Sequence, residues 1–511
     1  NERKHWLNDD YVKFIRYAQS LIERTGSGIL AYICPHGFLD NPTFRAMRWN
    51  LLQTFDKIYV LNLHGNINRG EKCPDGSKDE NVFDIEQGVS INIFIKNQKN
   101  TSNSKINHTD LYGIRELKYK YLQSKVISDI AWKKVDANSP YYLFVPNSIS
   151  ETNNYWEWIN IDELFIKNTT GIVTMGDEFI VADTAKCIEA RIKDFIETEY
   201  TTTAFKEKYH LGKNYPDFAL SNKKHIEYSN DKIIKLCYRP FDNKYTYYDR
   251  MLIWRARDDV SPLFSIGDNI GLITARSNKA EDCSHFFIAD CMSEAKCGER
   301  TTQSAIFPLY SFTHDSTTNR LTRTPNLNSK IVSSVSKSLG LPYKPNSDGN
   351  EFDSFAPINL LDYIYSIVYS DKYREKYKEF LKIDFPRVPY PTDQETFWKL
   401  VEIGGKLREC HLMQTEFDTE PYSFIGDGTN EVVKPEYKNG RVYISKTQYF
   451  DNVPQAQWEQ YIGGYQPLHK WLKDRKKTAL SAEDIEHYKK IIAALRLTEE
   501  LMAGIDQGVE F

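Results

Sequence analysis

Three apolar runs constrain the chain most. GILAYIC (28–34) is a short apolar run of the kind buried on both faces of a parallel sheet, and KIYVLNL (57–63) and VSINIFI (89–95) read as the next strands. A helix precedes the first. Over 8–25, Tyr11, Phe14, Ile15, Ala18, Leu21 and Ile22 recur at helical spacing, Asn8 or Asp9 can cap the start, and Gly26 stops it. A second helix follows the loop PHGFLDN, with Pro42 in its first turn and Phe44, Met47, Leu51 and Leu52 on one face. Strand, helix, strand at this spacing predicts an α/β crossover unit. Residues 1–100 therefore read as the second half of an open α/β domain.

The pattern then changes. Asn97–Asn107 is polar, and 101–112 reads as a linker. From 113 to 356, short strand-like runs alternate with Gly, Asn and Pro, with helices such as 184–198 between them, which predicts an α+β domain. Residues 357–511 read as mainly helical, over 357–414 and 453–506. A length of 511 residues calls for more than one core.

Charge is ambiguous as a guide to partners. The net value is −4, yet 96–134 holds nine Lys or Arg against three acids, and 232–257 holds seven against two. Each run is either a solvated face or a basic patch balanced by acids elsewhere. Eight unpatterned cysteines fit a reduced, cytoplasmic protein. Cys283, His285, Cys291 and Cys297 crowd together without a CxxC pair, so no metal is predicted. No apolar run reaches 18 residues, so no membrane partner is expected. The chain begins at Asn1 rather than Met, which reads as a fragment of a longer protein.

Several catalytic signatures are missing. The sequence has no GxGxxG, GxxxxGK[ST], HExxH or GxSxG. Asn41-Pro42-Thr43-Phe44 approaches the Asn-Pro-Pro-Tyr/Phe motif of adenine-N6 methyltransferases, but Thr replaces the second Pro and the tetrapeptide opens a helix. It reads as a helix start.

The stretches LNDDYVKFIRYAQSLIERTG, GILAYICPHGFLDNPTFRAMR and NVFDIEQGVSINIFIKN resemble the second half of a γ-class adenine-N6 methyltransferase domain: a helix after the catalytic loop, the fifth strand with its helix, and the strand beside the flipped base. TTGIVTMGDEF (169–179), YRPFDNKYTYYD (238–249), the stretch 360–391 and GGYQPLHKWLKDR (463–475) resemble the target-recognition region of Type ISP single-chain restriction–modification enzymes. The resemblance implies a Rossmann-like half-sheet, a recognition domain and a helical C-terminal part. It implies double-stranded DNA as partner and S-adenosylmethionine as cofactor of the complete enzyme. This sequence holds no Gly-rich DPACGSG-like loop and no Asn-Pro-Pro-Tyr/Phe, so the chain by itself is expected to be inactive, its missing N-terminal methyltransferase half lying in the same polypeptide or in another chain. Phe83 matches the position that stacks on an extruded adenine, an arrangement that restores part of the stacking energy. A loop Phe tucked into the core is the alternative.

Candidate base and phosphate contacts follow from the side chains such readout needs, Arg for guanine and Asn or Gln for adenine. Arg239, Arg250, Arg255 and Arg257 form one group, with Arg255 and Arg257 expected on one face of a strand. The alternative is that Arg239 pairs with Asp242 to hold a turn. Arg276, Asn278, Lys296, Arg300 and Gln303 form a second group in a loop-rich stretch. Lys470, Lys473, Arg475, Lys476 and Lys477 are either phosphate contacts or a solvated helix end. A non-catalytic specificity module completed by another methyltransferase chain is the alternative to an enzyme fragment.

Overall fold

The computed structural model describes residues 5–67, 71–97, 104–139, 141–146, 155–278, 283–315, 320–507 and 509. The chain divides into two units, Asn1–Trp156 and Glu157–Phe511.

In the first unit the three apolar runs become β1 (Gly28–Pro35), β2 (Lys57–Asn62) and β3 (Val89–Lys96). They are joined by β4 (Lys105–Asp110) and β5 (Lys133–Val135) in the order β1-β3-β2-β4-β5. Helix α1 (Asp10–Thr25) ends on Gly26 at φ 78°, and α2 (Arg45–Thr54) follows a short turn of helix at Pro42–Phe44. β3 runs antiparallel to both β1 and β2, so β1 and β2 are parallel but not neighbours. The crossover predicted from sequence is present with a third strand inserted. β4 pairs parallel to β2. Residues 105–110 are thus a strand rather than linker, their backbone groups being taken up by the sheet, while 101–103 lie outside the described residues.

Ile15, Ile22, Phe38, Leu51, Ile58, Val60, Phe94 and Ile106 form the core of this unit. Phe14, Tyr17 and Leu21 on the outer side of α1 are exposed, and so are Ile29 and Ile33 of the edge strand β1, on the side of the strand away from the core residues Leu30, Tyr32 and Cys34. GILAYIC is thus buried on one face at most, because β1 is an edge strand whose neighbour β3 is antiparallel.

Helix α3 (Arg115–Ser124) sends Lys118 inward, where its Nζ lies 2.7 Å from Asp79 Oδ1, both side chains at 0% exposure. Asp79 also accepts the backbone N–H of Gly65 at 2.6 Å and of Gly113 at 2.7 Å. Removing one partner would leave a buried charge uncompensated. Lys118→Ala is expected to destabilise this unit by about 3–5 kcal/mol in urea denaturation. Lys13→Ala, which loses an exposed pair with Asp10, should change the same measurement by less than about 0.5 kcal/mol.

The second unit is built from small sheets. β6 (Ile159–Asn160) pairs with Arg387–Val388. β7 (Thr169–Thr170), β11 (Gly271–Ala275), β12 (Phe286–Ala289) and β14 (Ser304–Pro308) form a sheet in the order β12-β11-β14-β7. β8 (Val181–Ala182), β9 (Ile233–Arg239), β10 (Asp242–Tyr247) and β13 (Met292–Ser293) form another, β13-β9-β10-β8. Among the described residues β15 (Tyr310–Asp315) and β16 (Arg320–Pro325) pair only with each other.

The helix Pro357–Tyr369, buried along almost its whole length, packs against Gln394–His411 and Ala482–Asp506. The helical expectation for 357–414 and 453–506 is met in this packed group. Between them, a four-stranded sheet of two- and three-residue strands over 424–450 was not anticipated. Among the described residues no helix is long and apolar enough to cross a membrane.

Candidate nucleic-acid interface

In the first unit β1, β2 and β4 are parallel, so their carboxyl ends lie together at the end where open α/β sheets bind ligands. A polar cluster occupies that end. His36 follows β1 and contacts Asn62 Oδ1 through Nδ1 at 3.0 Å. His64, just past β2, lies between Glu71 Oε1 (2.7 Å) and Asp110 Oδ1 (2.8 Å), and Tyr112 stacks on its ring at 3.8 Å. Burial opposes a charged His64, but its bonds to Asp110 and Glu71 outweigh burial and lift its pKa above the usual histidine value. Burial likewise opposes ionised Asp110, and His108 and His64 outweigh it, holding this carboxyl well below the usual carboxylate range.

The loop before β3 is fastened to this cluster. Gly65 sits at φ 78°, and a Cβ there would meet Asn81 Cα at 2.4 Å, so only glycine permits the approach. Asn81 donates to the Gly65 and Gln87 carbonyls and accepts the Phe83 N–H at 2.9 Å. Arg115 holds the Phe83 carbonyl at 3.0 Å, and the Tyr119 hydroxyl holds that of Val82 at 2.5 Å. The Phe83 backbone is therefore fixed while its residue surface stays 44% exposed. Phe83 is thus not tucked into the core.

Asn41 uses its side-chain oxygen on the Thr43 N–H at 2.9 Å, and its carbonyl accepts Arg48 Nη1 at 2.8 Å. Both acceptors serve the start of the α2 segment.

In the second unit three of the sequence motifs converge on one buried ion pair. Arg239 Nη1 lies 2.6 Å from Glu294 Oε2. Tyr238 and Tyr465 pack against the guanidinium, with ring centres 4.0 and 5.5 Å from Arg239 Cζ. The Tyr238 hydroxyl donates to Asp177 Oδ2 at 2.8 Å. Gly171 passes so close to Glu294 that a Cβ would meet its carbonyl carbon at 2.5 Å. Burial disfavours the Arg239 charge, and Glu294 more than offsets this, keeping the guanidinium protonated. Burial pushes the Glu294 carboxyl up, with Arg239 pulling it back. Arg239 is a structural residue here rather than a base reader. Its partner is Glu294 and not Asp242, which instead pairs with Arg475 at 2.9 Å.

Six of the other candidates gather at the Ser304 end of β14. Arg276 follows β11 there, and Gln303 precedes β14. Ser304 N–H bonds the Ala295 carbonyl, bringing in Lys296 and Arg300, whose guanidinium lies 5.4 Å from the Tyr461 ring centre. Gly171 N–H bonds the Ser304 carbonyl, and Arg257 Nε donates to the Gly171 carbonyl at 3.5 Å. Arg255 exchanges two backbone bonds with Val173. Arg255, Arg276, Lys296, Arg300 and Gln303 are exposed and Arg257 is half-buried. Arg276 already pairs with Asp162 at 2.9 Å.

Two expectations change. Arg257 adopts φ 61°, so the extended run ends there and Arg255 and Arg257 do not share a strand face. Asn278 is 4% exposed and bonds His285 at 3.1 Å, which removes it from the surface. Arg250 is exposed but lies on the 248–258 turn, paired with Asp258 at 3.0 Å. Residues 279–282 of the second group lie outside the described residues. Cys237 Sγ is 3.3 Å from Cys297 Sγ, and among the described residues no group of three or more His, Cys, Asp or Glu is arranged to hold a metal. Sequence reading missed the β15–β16 hairpin, whose signal was a polar tract flanked by Thr-rich alternation.

The profile of the Type ISP C-terminal specificity domain matches residues 163–504. The chain belongs to that family. The Type ISP specificity domain thus covers the second unit, from the strands that carry the basic residues to the C-terminal helices. Three solved structures share the fold across 99% of the chain. The ATP-dependent Type ISP restriction–modification enzyme LlaBIII bound to DNA is 20% identical with TM-score 0.70. The DrdV–DNA complex is 18% identical with TM-score 0.69. A nuclease-deletion mutant of the Type ISP enzyme LlaGI with a DNA substrate mimic is 18% identical with TM-score 0.67. The chain spans 35%, 52% and 41% of those chains respectively. No curated protein matches it.

Glu294→Ala, which strands the Arg239 charge, should destabilise the specificity domain by about 3–5 kcal/mol. Arg255→Ala should stay within about 0.5 kcal/mol of wild type in the same thermal melt. In the first unit, His64 contributes stability that is full below its ordinary value near 6.5 and is lost as pH rises through its raised pKa. The urea midpoint of wild type should accordingly fall more between pH 6 and pH 9 than that of His64→Gln; equal slopes would refute the charged-histidine arrangement.

Proposed function

We propose that this chain is the DNA-reading part of a restriction–modification enzyme, recognising a duplex sequence for adenine-N6 methylation. The specificity-domain match over 163–504 carries the reading. Its DNA-bound structural neighbours support it, as do the exposed Arg255, Lys296, Arg300 and Gln303 around one end of a sheet. Phosphate contacts of this kind supply affinity and position the protein, and base contacts supply sequence.

The first unit fits the second half of a methyltransferase domain. Its parallel strands end at one polar edge, with Phe83 held beside it as a platform for an extruded adenine. Exposed apolar residues on the outer side of α1 and on β1 flank a strand edge that has no partner among the described residues. The occupant that fits is a further α/β half-domain, in the same polypeptide or another chain, which extends the sheet at β1.

S-adenosylmethionine does not fit the described residues of this chain. β1 runs into the turn His36–Phe38, whose Phe38 carbonyl is held by Arg48 at 2.7 Å, and not into a glycine-rich cradle. The methyl donor and the transfer step belong, in this reading, to the half that covers β1.

The test is binding to a randomised duplex pool over a salt series, with the bound DNA sequenced. A recovered motif is expected, with an affinity that falls steeply with salt as counterions are released. Flat binding without a motif overturns the reading. In the complete enzyme, Phe83→Ala should leave the motif unchanged and slow methylation by about 5–150-fold, the range that loss of one base–aromatic stack implies.

A further inference from the structure

Among the described residues the β15–β16 hairpin stands outside every larger sheet of the second unit. Its register places Ser311 opposite Thr324 and Thr313 opposite Thr322 on one face. The other face carries Tyr310 opposite Pro325, Phe312 opposite Arg323 and His314 opposite Leu321. One face thus presents four hydroxyls in a row, followed in register by Asp315 opposite Arg320, and the second is mixed and partly apolar.

The mixed face is the one anchored. Arg323 lies over the Tyr310 ring at 4.4 Å, and Phe312 sits where a Cβ on Gly267 would meet its ring at 2.7 Å. Asn269 clamps the root, donating to the Tyr310 carbonyl at 2.9 Å and accepting its N–H at 3.0 Å. A two-stranded hairpin is marginal by itself in water, so this clamp determines its position. Beyond the root, Thr313, His314, Leu321, Thr322, Arg323 and Thr324 are all exposed.

We propose that this ribbon enters the major groove of duplex DNA with its hydroxyl face, Thr313 and Thr322 foremost, against the base edges. The inference rests on the DNA-reading function above. Two strands about 4.8 Å apart, with side chains, fit a groove about 12 Å wide but not one of about 6 Å. Threonine hydroxyls both donate and accept, and their methyls pack on the thymine methyl. A protein partner is disfavoured because the face lacks the aromatic and Met anchors that fill interface cores.

The ribbon also lies at a useful distance from the basic residues. β14 runs from Ser304, where they gather, to Pro308, and the chain enters the ribbon two residues later. Five extended residues span about 17 Å, close to half a helical turn of duplex. Phosphate contact at one end of β14 and groove contact at the other are compatible with one DNA molecule.

The experiment compares wild type with Thr313→Val, Thr322→Val and the double variant, each as the full chain, on the randomised duplex pool. Valine keeps the branched shape that suits a strand and removes only the hydroxyl. The double variant is expected to lose preference at one or two base pairs of the motif and to bind the original motif about 5–150-fold more weakly. Its affinity for unselected DNA and its salt slope should stay those of wild type. Replacing guanine or adenine at those positions by the 7-deaza base, which removes a major-groove acceptor, should weaken wild type and not the double variant. An unchanged motif in all three variants overturns the ribbon assignment and leaves DNA reading intact. A wild type that recovers no motif overturns both.

Discussion

Arg239 and Glu294 are 55 positions apart, and their buried pairing joins the ends of the neighbouring strands β9 and β13 at the point where several segments of the specificity domain meet. Arg239 ends β9, and Glu294 follows β13. Gly171 lies against the Glu294 backbone, Tyr238 reaches Asp177, and Tyr465 closes over the guanidinium. Two small sheets and the 461–465 turn thereby share a single charged node. Sheets of two to seven residues per strand bury little apolar area individually, and a desolvated ion pair with packed rings imposes a register that burial alone leaves loose. The Arg475–Asp242 pair repeats the device at the start of β10, tying in the C-terminal helices.

The parts of this arrangement that were legible in sequence are those written in local pattern. GILAYIC, KIYVLNL and VSINIFI announce strands because a short apolar run has few other uses, and α1 follows from its own periodicity, but the run does not tell that β1 is an edge strand with one face exposed while β2 and β3 are largely buried. Phe83 stood out only through resemblance, and the structure adds why it is held: Asn81 and Arg115 hold the backbone and leave the ring out. Less could be read where the deciding partner is distant in sequence. An arginine in a basic run looks the same whether it faces solvent or a glutamate 55 residues away, so local pattern leaves Arg239 open between a DNA contact and a pair with Asp242, and gives no sign of the burial of Asn278. The left-handed turn at Arg257 and the short strands over 424–450 lack any local signature, because neither depends on periodicity. Strand insertion is invisible too: nothing in VSINIFI says that it slots between β1 and β2.

Charge illustrates the same division between sum and placement. The chain as a whole is slightly acidic, yet Arg255, Arg257, Arg276, Lys296 and Arg300 come from three separate stretches to one end of a sheet. Field strength at a surface depends on such clustering far more than on net charge. Asp162 pairs with Arg276 at this end, and several other acids are placed inside: Asp79 beneath Lys118, Glu294 beneath Arg239, Asp362 beside Arg408.

The isolation of the β15–β16 hairpin has an evolutionary corollary. Core strands resist substitution because each side chain is pressed by neighbours on several sides. A ribbon hung from one asparagine and one phenylalanine is under no such restraint along its outer half. Lineages can therefore exchange, lengthen or shorten it while the sheets beneath remain unaltered. The domain separates the residues that must stay from those that can vary, and new targets become accessible by small steps within a fold that does not have to be rebuilt.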